Sequence, residues 1–272
     1  MLKHTLELLF HIIGIGSASG LVVKGDSLFI ISDNSGFLYE YHIKENELTK
    51  IKLFENAIES TAKKDKADFE AITTIGNELH LFGSGSTANR NRMASYNLQT
   101  KQAGIHDISQ LYTTVKQATG ISDDNFNIEG ALYYEEQLFL FQRGNGAASK
   151  NGIITMGENN TKPVFHPIAL PKIQDIEGAF TDAILVNNNI YFLAAVENTS
   201  STYDDGEVLG TFYGIINPVT LEIEETALLT DTKKLEGICL YKEDKATLSF
   251  LLCEDNDTDD SESLIYNLIL NK

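Results

Sequence analysis

One segment pattern recurs along the chain at a nearly constant spacing, and a tandem repeat limits the possible folds more than any other feature. The clearest copies are SASGLVVKGDSLFIISDNSG from Ser17, DFEAITTIGNELHLFGSGST from Asp68 and NIEGALYYEEQLFLFQRGNG from Asn127. In each, one residue stands nine positions before a leucine: Ser19 before Leu28, Glu70 before Leu79, and Glu129 before Leu138. Two looser copies begin at Phe180 and Lys234, with Asp182 and Glu236 as the equivalent residues. On that alignment the fourth copy is one residue shorter and the fifth is three residues longer.

Each copy contains two apolar segments around a tight turn, such as Gly25-Asp26, Gly76-Asn77 or Asn187-Asn188. This pattern is typical of a β-hairpin. Further β-rich segments follow each copy, as GFLYEYHI and ELTKIKLF follow the first. Four antiparallel strands in each unit of roughly 50 residues make the blade of a β-propeller. We therefore predict an all-β fold, with residues 1–272 forming a single β-propeller domain.

The number of blades follows from the two ends of the chain. After the hairpin of the fifth copy only SLIYNLIL (263–270) remains, which is one strand too few. The apolar segment 2–13 precedes the first copy and is one strand too many. If the N-terminal strand completes the last blade, the ring closes and an exposed edge is paired. A five-bladed propeller is predicted, with a six-bladed one as the alternative.

One insertion departs from the repeat. Residues 106–125 separate the second copy from the third, and Ile108, Leu111, Tyr112 and Val115 recur within them at helical spacing. This periodicity predicts a short helix between blades two and three.

The charge of the chain argues against two classes of partner. Asp and Glu number 39 against 21 Lys and Arg, a formal net charge of -18. Nucleic acids and anionic membranes both attract Lys and Arg, so neither is expected as a partner. Two cysteines, Cys239 and Cys253, are too few to cross-link this chain and predict buried free thiols. We expect a monomer in the cytoplasm without a membrane-spanning segment.

The first strand of each blade lines the channel of a propeller, so equivalent residues form a ring. The alignment places five residues at one level: Ser19, Glu70, Glu129, Asp182 and Glu236. Glu177 competes with Asp182 for the fourth place, with a better motif and a worse spacing. Two carboxylates ~6 Å apart repel by about 3 kcal/mol at an effective dielectric constant of ~20.

A bound cation, an arginine partner or raised pKa values would each relieve that repulsion. Oxygen ligands without histidine favour Ca²⁺ before Mg²⁺. The predicted calcium ligands are therefore Glu70, Glu129, Asp182 and Glu236. The alternative is structural, in which each acid caps its blade by accepting backbone N–H hydrogen bonds.

A second ring is expected where the second strands end: Asp33, Ser84, Arg143, Glu197 and Asp255. The loops GSGSTANRNR (83–92) and QRGNG (142–146) add Arg90 and Asn145. Guanidinium groups beside small residues suit a phosphate or a carboxylate, although salt bridges to the acid ring explain the arginines equally well. We predict that these residues, with Ser19, bind a small polar or anionic ligand.

Two acidic segments are weaker candidates. Residues 254–262 alternate acids as calcium loops do but lack the glycine of an EF-hand, which favours a solvated loop. The segment YDDGEVLG predicts a polar turn from which Asp204, Asp205 and Glu207 extend to the channel mouth.

Four motif sets together resemble an uncharacterised bacterial β-propeller family over nearly the whole chain. They are SASGL with SDNSGFLYEY, DFEAIT with GSGSTANRNR, NIEGAL with FQRGNG, and AAVENTSSTYDDGEVLG. That family is similar to the phytase-like and SdiA-regulated propellers, whose blades also carry Glu-Gly motifs. The acidic channel resembles, more distantly, the calcium-activated nucleotidases, which implies five blades with calcium on the axis. No settled activity comes with the family, and architecture alone is a weak warrant for function.

Two classes of function remain open. The first is a binding propeller with a divalent cation in its acidic channel and a polar face for the ligand. The second is a metal-dependent hydrolase of phosphate esters or lactones, with Glu70 or Glu129 as the base and Arg143 and Arg90 holding the leaving anion. The sequence lacks a GxSxG elbow, a P-loop and an HExxH motif, which favours binding.

Overall fold

The computed structural model describes residues 3–157, 162–199, 201, 206–255 and 261–272, and within them the chain forms five four-stranded antiparallel sheets. Strand β1 (His4–Ile13) precedes the first blade. Blade 1 contains β2 (Ala18–Lys24), β3 (Ser27–Ser32), β4 (Phe37–His42) and β5 (Glu47–Lys52). Blade 2 contains β6 (Phe69–Ile75), β7 (Glu78–Gly83), β8 (Arg92–Asn97) and β9 (Ala103–Asp107). A 3₁₀ turn (Ala88–Arg90) lies between β7 and β8.

The helix α1 (Ser109–Thr119) and a second 3₁₀ turn (Asp123–Asn125) lead into blade 3. Blade 3 contains β10 (Ile128–Tyr134), β11 (Gln137–Gln142), β12 (Gly152–Gly157) and β13 (Val164–Pro167). A small hairpin follows, β14 (Lys172–Ile173) and β15 (Ile176–Glu177). Blade 4 contains β16 (Ala179–Val186), β17 (Asn189–Asn198), β18 (Glu207–Ile216) and β19 (Ile223–Thr230). Blade 5 contains β20 (Lys234–Glu243), β21 (Thr247–Asp255) and β22 (Glu262–Asn271).

Strand β1 completes blade 5 and closes the ring. It pairs antiparallel with β22, from His4 opposite Leu270 to Ile13 opposite Glu262. The sheet order is therefore β1-β22-β21-β20. The predicted five-bladed propeller is confirmed, and the six-bladed alternative is wrong.

The first strands of successive blades contact one another around the whole ring, from β2 through β6, β10, β16 and β20 back to β2. Apolar side chains fill the space between neighbouring blades, as where Phe29 of blade 1 packs with Phe69 of blade 2. Leu251 of blade 5 lies in one cluster with Leu21 of blade 1, together with the free, buried thiol of Cys253. The apolar core therefore lies between neighbouring blades and not on the axis of the propeller.

The predicted helix is present as α1. Its Tyr112 and Val115 are buried, and the Tyr112 hydroxyl donates a 2.6 Å hydrogen bond to the carbonyl oxygen of Gly83. The helix ends at Gly120, whose φ of 68° is a left-handed conformation that glycine adopts readily. Among the described residues, no helix is long and apolar enough to cross a membrane.

A β-bulge interrupts the first strand of every blade at the same place. One residue there has no partner in the strand pairing. From blade 1 to blade 5 these unpaired residues are Ser19, Glu70, Glu129, Thr181 and Glu236, and in blade 5 Gly237 is unpaired as well. A bulge of this kind changes the direction in which the side chain of the unpaired residue points. A glycine follows Glu236 because a Cβ at Gly237 would lie 2.8 Å from the Cα of Gly20 in the neighbouring blade.

The bulges correct the sequence alignment of blade 4. Asp182 is paired with Leu193, and the unpaired residue is Thr181. Thr181 also stands nine residues before Ile190, the spacing found in the first three copies. The ring thus holds three glutamates, a serine and a threonine, and neither Asp182 nor Glu177 belongs to it.

Deleting residues 1–13 is expected to destabilise the protein strongly and to cause aggregation, because β22 becomes an exposed edge. The deletion also removes the buried Ile12 and the partly buried Leu6 and Phe10. Together these side chains contribute about 5 kcal/mol, which corresponds to a fall in Tm of about 10–20 °C at about 2–4 °C per kcal/mol. Calorimetry and size-exclusion chromatography measure the effect, with deletion of residues 1–3 as control. An unchanged Tm in a monomeric truncated protein would contradict the role of β1 in closure.

Candidate functional site

A polar cavity of about 250 Å³ lies at the end of the channel where the first strands begin and the second strands end. Charged side chains dominate its lining. The acids are Asp33, Asp68, Glu70, Glu129, Glu236 and Asp255, and the bases are Lys63, Lys66, Arg90, Arg143 and Lys234. The cavity therefore concentrates both signs of charge, unlike the strongly acidic chain as a whole.

Between blades 1 and 2, Asp68 is the centre of an ion-pair cluster. Its Oδ1 lies 2.7 Å from Lys66 Nζ, and its Oδ2 lies 2.8 Å from Arg90 Nη1. Lys66 Nζ also contacts Asp33 Oδ2, and the Ser84 hydroxyl donates to Asp68 Oδ2. Both cations of this side are thus held by Asp68.

Blades 3, 4 and 5 meet in a second cluster around Glu197. Arg143 pairs with Glu129 at 3.0 Å and also with Glu197. Lys234 Nζ lies 3.0 Å from Glu236, 2.9 Å from Asp255 and 3.7 Å from Glu197. Five of these six side chains are buried, and Asp255 is half-buried.

Glu70 lies between the two clusters, and no hydrogen bond or ion pair joins it to any described residue. Its exposed fraction is 9%. Burial, followed by repulsion from Glu129, Asp68 and Glu236, raises the pKa of Glu70 well above its ordinary value. Burial also raises the pKa of Glu129 and of Glu236, against the opposing effect of Arg143 and Lys234. Glu70 is therefore the ring carboxylate that remains to be satisfied.

Asp33, Asp68 and Glu70 each offer one oxygen to a group in which all three atoms lie within 4.8 Å of one another. The Oδ1 atom of Asp33 is buried and accepts no hydrogen bond from the described residues. Burial raises the pKa of Asp33 against the attraction of Lys66. This group can hold a metal ion through oxygen atoms alone.

The structure places three of the five residues of the predicted second ring in the cavity lining and the other two against residues that line it. Asp33, Arg143 and Asp255 line the cavity, while Ser84 and Glu197 support it from behind through Asp68 and Arg143. Arg90, predicted from its loop, also lines the cavity. Whether these residues bind a ligand stays a prediction.

Three further predicted site residues do not line this cavity, and each makes hydrogen bonds to the main chain. Asp182 is not among the residues lining the cavity; its Oδ1 accepts from Ala183 N at 2.7 Å and its Oδ2 from Ile238 N at 2.9 Å. Asn145 lies beside a separate cavity of about 350 Å³ and donates to the carbonyl oxygen of Ser201. The Ser19 hydroxyl donates to the carbonyl oxygen of Phe69 at 2.6 Å. The structural alternative, an acid that caps backbone N–H groups, thus describes Asp182.

Seven lining residues were missed in the sequence: Asn34, Thr61, Lys63, Lys66, Asp68, Asn127 and Lys234. A signal for three of them was available. Asp68, Asn127 and Lys234 each stand two residues before a ring glutamate, and residues two apart in a strand face the same side. Of the weaker acidic candidates, residues 256–260 as well as Asp204 and Asp205 lie outside the described residues.

The fold is similar to several solved structures at low sequence identity. A glutaminyl cyclase from Myxococcus xanthus has a TM-score of 0.54 at 10% identity, covering 99% of this chain and 98% of that one. An α-L-arabinanase mutant from Cellvibrio cellulosa has 0.54 at 14% identity, covering 93% and 90%. The major Malassezia sympodialis allergen Mala s 1 has 0.53 at 7% identity, covering 98% and 97%. Identities this low show a shared fold and nothing more.

A family model described as "Family of unknown function (DUF6929)" matches residues 14–270. No curated protein matches the chain. The match confirms an uncharacterised family, whereas the expected similarity to phytase-like and SdiA-regulated propellers is not confirmed.

Replacing Glu70 with Gln is expected to raise the free energy of unfolding at pH 7 in the presence of a chelator. A carboxyl whose pKa is higher in the folded than in the unfolded chain stabilises the fold only while protonated. That contribution is complete below about pH 4.3, the unfolded pKa, and is lost as the pH rises. The gain at pH 7 amounts to about 1.4 kcal/mol for each unit by which the folded pKa exceeds the unfolded one.

Urea denaturation at pH 7 and pH 4 measures this gain, which should shrink at pH 4. Glu78→Gln is the control, because hydrogen bonds from Asn97 and His80 lower the pKa of the half-buried Glu78. That variant should show no gain at pH 7. A Glu70→Gln variant less stable than wild type at pH 7 would show that Glu70 is ionised and paired.

Proposed function

The chain belongs to DUF6929, a family of unknown function, and we therefore propose its role from the cavity itself. We propose a binding propeller that takes a divalent cation, calcium before magnesium, and a small polar ligand in the central cavity. We also propose that it acts as a monomer in the cytoplasm, a compartment that suits its free, buried cysteines.

The observation that carries the cation is the unsatisfied pair of carboxylates beside Asp68. Asp33 Oδ1 is buried without a donor, and Glu70 has no partner among the described residues. Lys66 contacts Asp33 through Oδ2, which leaves Oδ1 for another cation. Hard oxygen ligands of flexible geometry suit Ca²⁺ better than Mg²⁺, which demands a near-ideal octahedron.

This ligand set differs from the one that the sequence predicted. Glu70 is common to both, whereas Glu129 and Glu236 are paired with Arg143 and Lys234. The two guanidinium groups of the cavity are likewise held by carboxylates, which supports a polar ligand over an anionic one.

Calcium is expected to raise the Tm of chelator-stripped wild-type protein. A ligand at about 100 times its Kd adds about 2.7 kcal/mol, or roughly 5–10 °C at about 2–4 °C per kcal/mol. Glu70→Gln should abolish the shift, because it removes the charged ligand and keeps the volume. Differential scanning calorimetry with Ca²⁺ and Mg²⁺ measures it.

Glu236→Gln is the matched control, because Glu236 occupies the equivalent bulge but lies outside the three-carboxylate group. It should keep the calcium response. No response in wild type, or an equal response in Glu70→Gln, would contradict the cation site.

A second candidate function is the hydrolysis of phosphate esters or lactones. One observation favours it: the pKa of the unpaired Glu70 is raised within the cavity, as suits a general acid. In that case Glu70 would donate a proton to the leaving oxygen while the cation polarises the bond. Arg143 and Arg90 would then act by holding the acids of the cavity.

Phosphomonoesters, nucleotides and lactones with Ca²⁺, Mg²⁺ or Mn²⁺ test the hydrolase. Turnover should fall at least about 100-fold in Glu70→Gln, the usual contribution of a general acid. The Glu78→Gln variant should retain turnover, because Glu78 does not line the cavity. Absence of turnover across this panel would leave binding as the function.

A further inference from the structure

Cationic side chains bridge the carboxylates of neighbouring blades around the cavity. Lys66 joins Asp33 of blade 1 to Asp68 at the start of blade 2. Arg143 joins Glu129 of blade 3 to Glu197 of blade 4. These bridges show the kind of group that the inner surface holds, namely an N–H donor with a positive charge between two acids.

Lys234 continues the same arrangement at the next junction. Its ammonium lies between Glu197 of blade 4 and the acids Glu236 and Asp255 of blade 5. Bridges therefore span blades 1 and 2, blades 3 and 4, and blades 4 and 5.

Blades 2 and 3 carry facing acids without such a bridge. Glu70 and Glu129 occupy equivalent bulges of the contacting strands β6 and β10, and both line the cavity. Glu70 has no partner among the described residues, and Glu129 accepts through Oε1 alone, from Arg143 and from Asn127. Both side chains are at least nine-tenths buried, with exposed fractions of 9% and 2%.

Among the described residues, no side chain donates a hydrogen bond to Glu70 or to Glu129 Oε2. Two of the other three ring positions carry hydroxyl groups, and each donates to the main chain of the next blade: Ser19 to Phe69 O and Thr181 to Leu235 O. The amide of Asn127 donates to the Oε1 atom that Arg143 already contacts. A bound molecule that carries N–H groups can therefore donate to these oxygens.

The charges around the described cavity point to a cationic ligand. Seven carboxylates face four buried ammonium and guanidinium groups, which leaves three negative charges if all are ionised, before the exposed Lys63 at the rim is counted. The carboxylates are Asp33, Asp68, Glu70, Glu129, Glu197, Glu236 and Asp255; the cations are Lys66, Arg90, Arg143 and Lys234. The surplus, three negative charges or two with Lys63 counted, favours a cationic ligand.

We propose that the small ligand of this cavity carries a primary ammonium group, which lies between Glu70 and Glu129 and donates hydrogen bonds to both. An ammonium offers three N–H donors and no acceptor, which matches a surface of free acceptor oxygens. The proposal rests on the proposed function in using the same cavity. It is compatible with the cation site, since Glu70 has one oxygen for the metal group and a second for the ammonium.

Three probes of similar size separate this ligand class from the alternatives on wild-type protein. Propylammonium should bind saturably, with one site, by isothermal titration calorimetry in the presence of a chelator. Propan-1-ol lacks the charge and tetramethylammonium lacks N–H donors, so each should bind at least tenfold more weakly. Equal binding of tetramethylammonium, or no binding of propylammonium, would overturn the proposal.

Two variants separate the ammonium site from the calcium site. Glu129→Gln should lose propylammonium affinity at least tenfold and keep the calcium shift in Tm, while Arg143 retains Glu197 as a partner. Asp33→Asn should do the reverse. A calcium response without propylammonium binding would overturn this inference alone, and propylammonium binding without a calcium response would overturn the proposed cation site alone.

Discussion

The inner surface of this propeller depends on the pairing of buried charge. Taking a carboxylate out of water costs several kcal/mol, which is recovered only where a cation and further hydrogen bonds meet it. Arg143 and Lys234 meet that requirement for the acids of blades 3, 4 and 5, since both contact Glu197. Such pairs add little net stability compared with apolar side chains of equal volume. Their effect here is geometric, because each bridge holds the inner ends of neighbouring blades in one relative position.

The rest of the fold supplies the stability and leaves the axis open to polar groups. Apolar wedges between blades bury residues such as Phe29 and Phe69, and β1 closes the ring against β22. Bulges at the start of each first strand remove one residue from the ladder, so its side chain need not follow the alternation of the strand. Where that residue is Ser19 or Thr181, its hydroxyl ties two blades together through a carbonyl oxygen.

The sequence was sufficient for the architecture and for part of the site. Strand number, ring closure and helix α1 follow from local periodicity and from the nine-residue spacing, both of which are properties of the chain itself. The nine-residue spacing also indicates Thr181. The alignment matched acidic residues instead of keeping that spacing, and it therefore placed Asp182 in the ring. Ion pairs such as that of Lys66 with Asp33 join residues 33 positions apart, and no local pattern predicts which base meets which acid. The absence of a partner for Glu70 depends on all those pairings at once.

The residue two positions before each ring glutamate explains why Glu70 is the unsatisfied one. In blade 5 that residue is Lys234, which pairs with Glu236 on its own strand. In blade 3 it is Asn127, whose amide donates to Glu129 at 2.7 Å. In blade 2 it is Asp68, a like charge that raises the pKa of Glu70 and itself holds both Lys66 and Arg90. One acidic residue just before β6 therefore pairs with Lys66 and Arg90, and Glu70 two positions later is left as the carboxylate at which the cavity can accept a cation from outside.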